Sequence, residues 1–145
     1  MADLDRLIVH SRQGSNKLAL ILMDIEHFKR INDTHGHPIG DEVPRSVAQL
    51  LRQQAREGDV VGRIGGEEFV WIVLEADGSV ARILAERLRS AIAASSMGDG
   101  IPPVTVSAGF TSIHHDDSGL GMFGRADQAL YQAKDQGRNT VRMAA

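Results

Sequence analysis

The chain has no cysteine. That absence removes disulfides, thiol nucleophiles and cysteine metal sites together, and it is compatible with a cytoplasmic setting. Aromatic residues are scarce at 4%, with one Trp and one Tyr. No apolar run approaches the roughly 18 residues of a membrane span, and the N-terminus lacks a signal-peptide pattern. The expected location is therefore cytoplasmic, alone or as the cytoplasmic part of a larger, membrane-bound protein, with no membrane contact by this stretch. Charge of one sign is also missing: the formal net charge is only -3. A general nucleic-acid binder would usually be basic, so no nucleic-acid partner is expected. A small phosphorylated ligand held by a few local cations remains open.

What is present is ordinary for a folded domain: 145 residues, 42% hydrophobic and 24% charged. A chain of this size fits one domain and buries roughly 68–70% of its unfolded surface. It begins almost inside a helical pattern, so it is expected to be trimmed from something longer. The unusual stretch is Arg63-Ile64-Gly65-Gly66-Glu67-Glu68-Phe69, followed by the apolar run Val70 to Val73. Two glycines between strand-like segments predict a tight hairpin, with positive φ at the turn. Two adjacent glutamates at the start of the returning strand repel each other, which calls for a positive partner such as a metal ion.

The periodicity predicts the following order. A short helix covers roughly 3–13 and stops at Gly14-Ser15-Asn16. Leu18 to Ile25 is a continuous apolar run with a single acid, Asp24, and reads as a strand buried on both faces. A short helix at 26–34 and a Gly/Pro break at 36–40 precede a helix at about 41–56, with Pro44 in its first turn. The hairpin strands are 59–64 and 69–74. A helix at 78–95, a strand at 102–111, a polar loop at 112–119, a helix at 120–135 ending at Gly137 and a strand at 139–143 complete the chain. This is an α+β order, β-α-α-β-β-α-β-α-β. Its core is β-α-β-β-α-β, the ferredoxin-like or palm-type unit with a mostly antiparallel sheet flanked by helices.

In that unit the first strand is expected beside the strand leading into the hairpin, so Asp24 and Glu67-Glu68 converge at one rim. Three carboxylates there form a hard, oxygen-rich site suited to Mg²⁺ or Mn²⁺ and hence to phosphoryl or nucleotidyl transfer. The competing reading makes Asp24 a helix cap and the glutamates solvated turn residues. A helix N-terminus follows Asp24 at once, which favours phosphate, and Lys29 adds a full charge. Asn32, one turn on, offers donor and acceptor to a base edge. Asp41 is placed to accept paired N–H groups from a guanine, or else to act as an N-cap. His35 with His37, and His114 with His115, lack the further ligands a zinc site needs. Trp71, Met122 and Phe123 read as core.

Asp24-Ile25-Glu26-His27-Phe28-Lys29-Arg30-Ile31-Asn32-Asp33 through His37, Gly40-Asp41, Arg63 to Phe69, Ser107-Ala108-Gly109 and Ala126 to Asn139 together resemble the GGDEF domain of diguanylate cyclases. The resemblance runs from about residue 17 to 143 in the family's order and spacing. Each motif alone is moderately specific; together in register they are very specific. It implies condensation of two GTP to cyclic di-GMP with release of two pyrophosphates, by a transient homodimer presenting one GTP from each subunit. Asp24, the Ile25 carbonyl, Glu67 and Glu68 would then hold Mg²⁺ or Mn²⁺. Glu67 would also be the base for the ribose 3′-hydroxyl. Asn32 and Asp41 match guanine-reading positions. His27, Phe28 (through its backbone), Lys29, Lys134 and Arg138 match phosphate contacts, although Lys134 and Arg138 at a helix C-terminus also simply offset its dipole.

Arg56-Glu57-Gly58-Asp59 ends six residues before Gly65. Such a tetrad by itself reads as a surface ion pair worth at most about 1 kcal/mol. At this offset it resembles the family's product-inhibition site, where Arg56 and Asp59 bind cyclic di-GMP and Arg87 supplies an opposing face. The chain departs from the family in three places. The usual Asp-x-Leu-Thr-Gly-Leu-x-Asn-Arg opening is absent, which again implies a single catalytic domain, residues 1–145, trimmed from a longer sensor protein. Glu26 stands where aspartate is usual, and Glu67 replaces the aspartate of the name motif, a variant the family accepts as active. The rival expectation is a silent module of the same fold that binds GTP or cyclic di-GMP without turnover.

Overall fold

A computed structural model describes residues 2–14 and 16–144. Its elements are α1 (Ala2–Gln13), β1 (Leu18–Ile25), α2 (Phe28–His35), α3 (His37–Gln54), β2 (Val60–Arg63), β3 (Glu68–Leu74), α4 (Gly78–Ala94), β4 (Val106–Ser112), α5 (Gly119–Asp135) and β5 (Val141–Met143). The strands form one sheet in the order β2-β3-β1-β4-β5, antiparallel except for the last pair. This is the expected ferredoxin-like α+β core, extended by β5. Among the described residues no helix is long and apolar enough to cross a membrane. Ser15 of the predicted helix stop lies outside the described residues.

β1 is central and wholly buried because it carries apolar side chains on both faces. Alternation divides those side chains between two cores. Ala19, Ile21, Met23 and Ile25 pack with Phe69, Trp71 and Val73 of β3 and Val106, Ala108 and Phe110 of β4 under α3 and α4. Leu18, Leu20 and Leu22 pack with Ile72 under α1 and α5, against Leu4, Ile8, Met122, Ala126 and Leu130. Asp24 continues the even-numbered series, so its carboxyl points to the α5 face. Trp71 and Met122 are fully buried, as the sequence reading expected.

Several boundaries differ from the sequence reading. β1 lies beside β3, the strand leaving the hairpin, and not beside the one leading into it. The helical crossover from β1 carries the chain past one strand position, and the hairpin then folds back into the gap. No break spans 36–40: Gly36 alone separates α2 from α3, and Pro38 falls in the first turn of α3, at a position that needs no N–H donor. Pro44 therefore sits inside α3, and Asp41 lies within the helix and does not cap it. β4 begins at Val106, after the Pro102-Pro103 pair, which cannot donate to a ladder. Neither Gly65 nor Gly66 takes a positive φ. The turn is wider than a two-residue hairpin, closed by Ile64 N–H donating to the Glu68 carbonyl at 2.9 Å. Arg63 ties it further, donating to the carbonyls of Gly65 (3.0 Å) and Gly66 (2.6 Å).

Candidate active site at the β1 rim

The β1–β3 register sets Asp24 directly opposite Glu68. Both belong to the even-numbered series, so the two acids share the α5 face. Glu67 lies in the turn just before, and its carbonyl accepts the Ile25 N–H at 2.9 Å. The Asp24 carboxyl is buried at 5% exposure. Burial pushes its pKa above the ordinary 3.8; Lys134 opposes this through a hydrogen bond and its charge, and the nearby Glu67 and Glu68 charges push it further up. One oxygen, Oδ2, accepts from Lys134 Nζ, while Oδ1 is buried without a partner. Among the described residues no three acids or histidines gather closely enough to enclose a metal ion. In this arrangement Lys134 supplies the positive partner that the acidic rim calls for.

Two residues on, Glu26 repeats the pattern. It is buried, and its Oε2 accepts from Arg138 Nη1 at 2.6 Å. Lys134 sits in the last turn of α5, and Arg138 in the left-handed turn that follows it. Asp24 meets Lys134 and Glu26 meets Arg138, as two rungs along the same face. The same cleft, about 200 Å³, is lined by Asp24 to Lys29, Glu67, Lys134 and Arg138. Nearly every residue singled out for metal or phosphate thus borders one depression.

The floor of the cleft is the start of α2. His27, its N-cap, sits at φ 56° and makes no side-chain capping hydrogen bond. The first N–H groups of α2 are consequently without a side-chain cap, and they carry the positive end of the helix dipole. Asn32 and Asp41 lie further along, on α2 and α3, outside the lining of that cleft. The packed pair α2–α3 brings Asn32 against Gly40: a Cβ added at Gly40 would lie 1.6 Å from Asn32 Oδ1. The sequence reading names Gly40 only as part of the Gly40-Asp41 motif, with no role of its own. Its signal was an isolated glycine in a helical pattern, which the reading assigned to a break.

Arg56 and Asp59 lie elsewhere, on a larger cleft of about 440 Å³ between the end of α1 and the start of β2. Asp59 is closed in: Oδ2 accepts from Arg56 N–H (2.9 Å) and Trp71 Nε1 (3.0 Å), and Oδ1 from Leu74 N–H (3.1 Å). The Arg56 guanidinium donates to the Leu74 carbonyl. Arg87, exposed on α4, does not line that cleft.

A ferredoxin-like α+β domain with an acid-and-cation cleft at one rim of its sheet is the class these features define. The family model for the diguanylate cyclase GGDEF domain matches residues 2–140. The chain is 41% identical over 143 residues to diguanylate cyclase DgcP of Pseudomonas aeruginosa, covering 97% of this chain and 21% of that protein. It is 38% identical over 146 residues to diguanylate cyclase A of Treponema denticola, covering 97% of this chain and 39% of that one. The chain therefore spans well under half the length of these relatives. Among solved structures, the active GGEEF domain of a diguanylate cyclase from Vibrio cholerae superposes with a TM-score of 0.94 at 34% identity, covering 99% of this chain and 93% of that one. The GGDEF domain of DgcB from Caulobacter crescentus, in complex with c-di-GMP, gives 0.93 at 35%, covering 98% and 86%. The chain belongs to the GGDEF domain family.

Proposed function

We propose that this chain is the catalytic domain of a diguanylate cyclase, condensing two GTP into cyclic di-GMP with release of two pyrophosphates. The observation that carries the reading is Asp24: a buried acid with one unpartnered oxygen, opposite Glu68 and next to Glu67, in a cleft whose other wall holds Lys134 and Arg138. A buried carboxylate oxygen without a partner fits a hard divalent ion. With Lys134 released from Asp24 and the two glutamate side chains turned inward, Asp24, the Ile25 carbonyl, Glu67 and Glu68 would hold Mg²⁺ or Mn²⁺. Such an ion supplies polarisation of the α-phosphate and neutralises charge that develops there.

The chain's own residues do the rest. The N–H groups at the start of α2, with His27 and Lys29, receive phosphate oxygens. Lys134 and Arg138 close on the triphosphate from α5, so Lys134 leaves Asp24 when substrate is bound. Asn32 and Asp41 read the guanine edge. Glu67 takes the proton from a ribose 3′-hydroxyl. That oxygen then bonds to the α-phosphorus of the GTP on a second copy of the chain, and pyrophosphate leaves with the broken P–O bond. The same step with the roles exchanged closes the ring, which is why a transient homodimer is required. Arg56 and Asp59 would bind the product as an inhibitor once Arg56 leaves the Leu74 carbonyl and Asp59 gives up N–H donors that now fill it; Arg87, off that cleft, would act from a second copy of the chain. In the whole protein, an upstream sensor domain would control this cytoplasmic domain.

A module that binds GTP or cyclic di-GMP without turnover is the rival reading. It draws on the Asp24–Lys134 pair, which closes the acid against a metal. Incubation with GTP and Mg²⁺ separates the two readings: cyclic di-GMP supports the enzyme, and bound but unconverted GTP supports the module.

A further inference from the structure

Glu26 is absorbed by none of these roles, yet it is 4% exposed and carries a carboxylate. Its backbone N–H donates to the Thr105 carbonyl at 2.9 Å, which keeps it in the sheet's alternation beyond the end of β1. The side chain consequently points to the α5 face, like that of Asp24. Oε2 accepts from Arg138 at 2.6 Å, and Oε1 is buried with no partner. A buried acid with one charged neighbour is held tightly to it, because losing that neighbour leaves the charge uncompensated. Arg138, by contrast, keeps a side chain 48% exposed. The bond to Glu26 uses one of its five N–H donors, which leaves others for a ligand in the cleft.

The backbone supports the same placement. Gly137, Arg138 and Asn139 follow one another at φ 111°, 64° and 44°. Left-handed conformations at two successive non-glycine residues are costly and persist only where the surroundings over-determine them. Two contacts do so here: Glu26 on Arg138, and Arg89 Nη1 on Asn139 Oδ1 at 2.8 Å. The turn folds the chain back after α5 and delivers the guanidinium over the end of β1.

We propose that Glu26 is a positioning residue that fixes the Arg138 guanidinium for the terminal phosphates of the nucleotide. This rests on the reading of Arg138 as a phosphate contact. The test is titration of GTP and of guanosine into wild type, Glu26→Gln, Glu26→Asp, Arg138→Ala and the Glu26→Gln/Arg138→Ala double variant, with thermal melts alongside. Glu26→Gln keeps size and burial but removes the charge, and should weaken GTP binding by about tenfold. Guanosine binding should stay unchanged, and Glu26→Asp should recover most of the loss. The effect of Glu26→Gln on GTP should vanish in the Arg138→Ala background. If Arg138→Ala weakens GTP binding while Glu26→Gln changes only the melting temperature, Glu26 is a structural latch and the proposal is overturned. If Arg138→Ala leaves GTP binding intact, the phosphate reading itself fails and the proposal falls with it.

Discussion

Lys134 and Asp24, 110 residues apart in sequence, are joined by an ion pair that ties the last turn of α5 to the end of β1. The Asp24 carboxyl is the buried member, and Lys134 is half-buried. Without nucleotide or metal, this ammonium is the counter-charge that makes a buried acid beside two glutamates tolerable.

Lys134→Met should therefore destabilise the metal-free chain by roughly 1–3 kcal/mol, the cost of leaving a buried polar group unpaired. Mn²⁺ should recover part of this, so the metal-induced rise in melting temperature should be larger in the variant than in wild type. Equal rises would mean that Lys134 and the metal do not compete for the same acid.

Gly40→Ala separates stability from recognition. An alanine inside α3 ordinarily stabilises a helix by roughly 1 kcal/mol relative to glycine. Here its methyl group would overlap the end of the Asn32 side chain, which can swing aside. Stability should stay within about 1 kcal/mol of wild type. GTP binding should weaken as it does in Asn32→Ala, and the double variant should be no worse than either single one. Additive losses in binding calorimetry would argue against this coupling.

Gly109→Ala should fail differently. Its Cβ would lie 2.1 Å from Leu130 N and 2.5 Å from the Ala126 carbonyl oxygen, both backbone atoms of α5. Backbone cannot swing aside, so α5 must lift off β4, carrying Lys134 with it. Urea unfolding should show a loss of roughly 3 kcal/mol or more, or no folded protein at all. A near-wild-type midpoint would contradict the close packing of α5 on β4.

Asp117 gives the clearest pH dependence. Burial pushes its pKa up, but hydrogen bonds from Arg125 and the His114 N–H, with the Arg125 charge, more than offset this and hold it below the ordinary 3.8. Arg125 reaches it with two donors, at 2.8 and 2.6 Å. A depressed carboxyl pKa means that the unfolded chain binds the proton more readily. The stabilisation is thus present above pH 3.8 and lost as pH falls through the lower folded value. Arg125→Ala should flatten the acid limb of stability against pH, measured by denaturant unfolding. An unchanged limb would assign the acid sensitivity to other groups.

β1 was legible to the residue, because a continuous apolar run bounded by polar residues has only one strand reading. The same continuity hid which face Asp24 takes: with apolar residues on both sides, alternation leaves no polar stripe to mark orientation. The start of α3 was hidden by Gly36, His37, Pro38 and Gly40, which carry break signals although Pro38 fits a first helical turn. The pairs Lys134–Asp24 and Arg138–Glu26 were beyond the sequence, since their meeting depends on how α5 lies on the sheet. Arg56 and Asp59 were found as a motif. Their bonds to Leu74 and Trp71 required the fold.

The most direct measurement is product formation by the purified chain at high concentration with GTP and Mg²⁺, followed by mass spectrometry and pyrophosphate release. The account expects cyclic di-GMP with two pyrophosphates per product molecule, abolished in Glu67→Gln while GTP remains bound. Tight GTP binding by the folded chain with no cyclic di-GMP formed would contradict it.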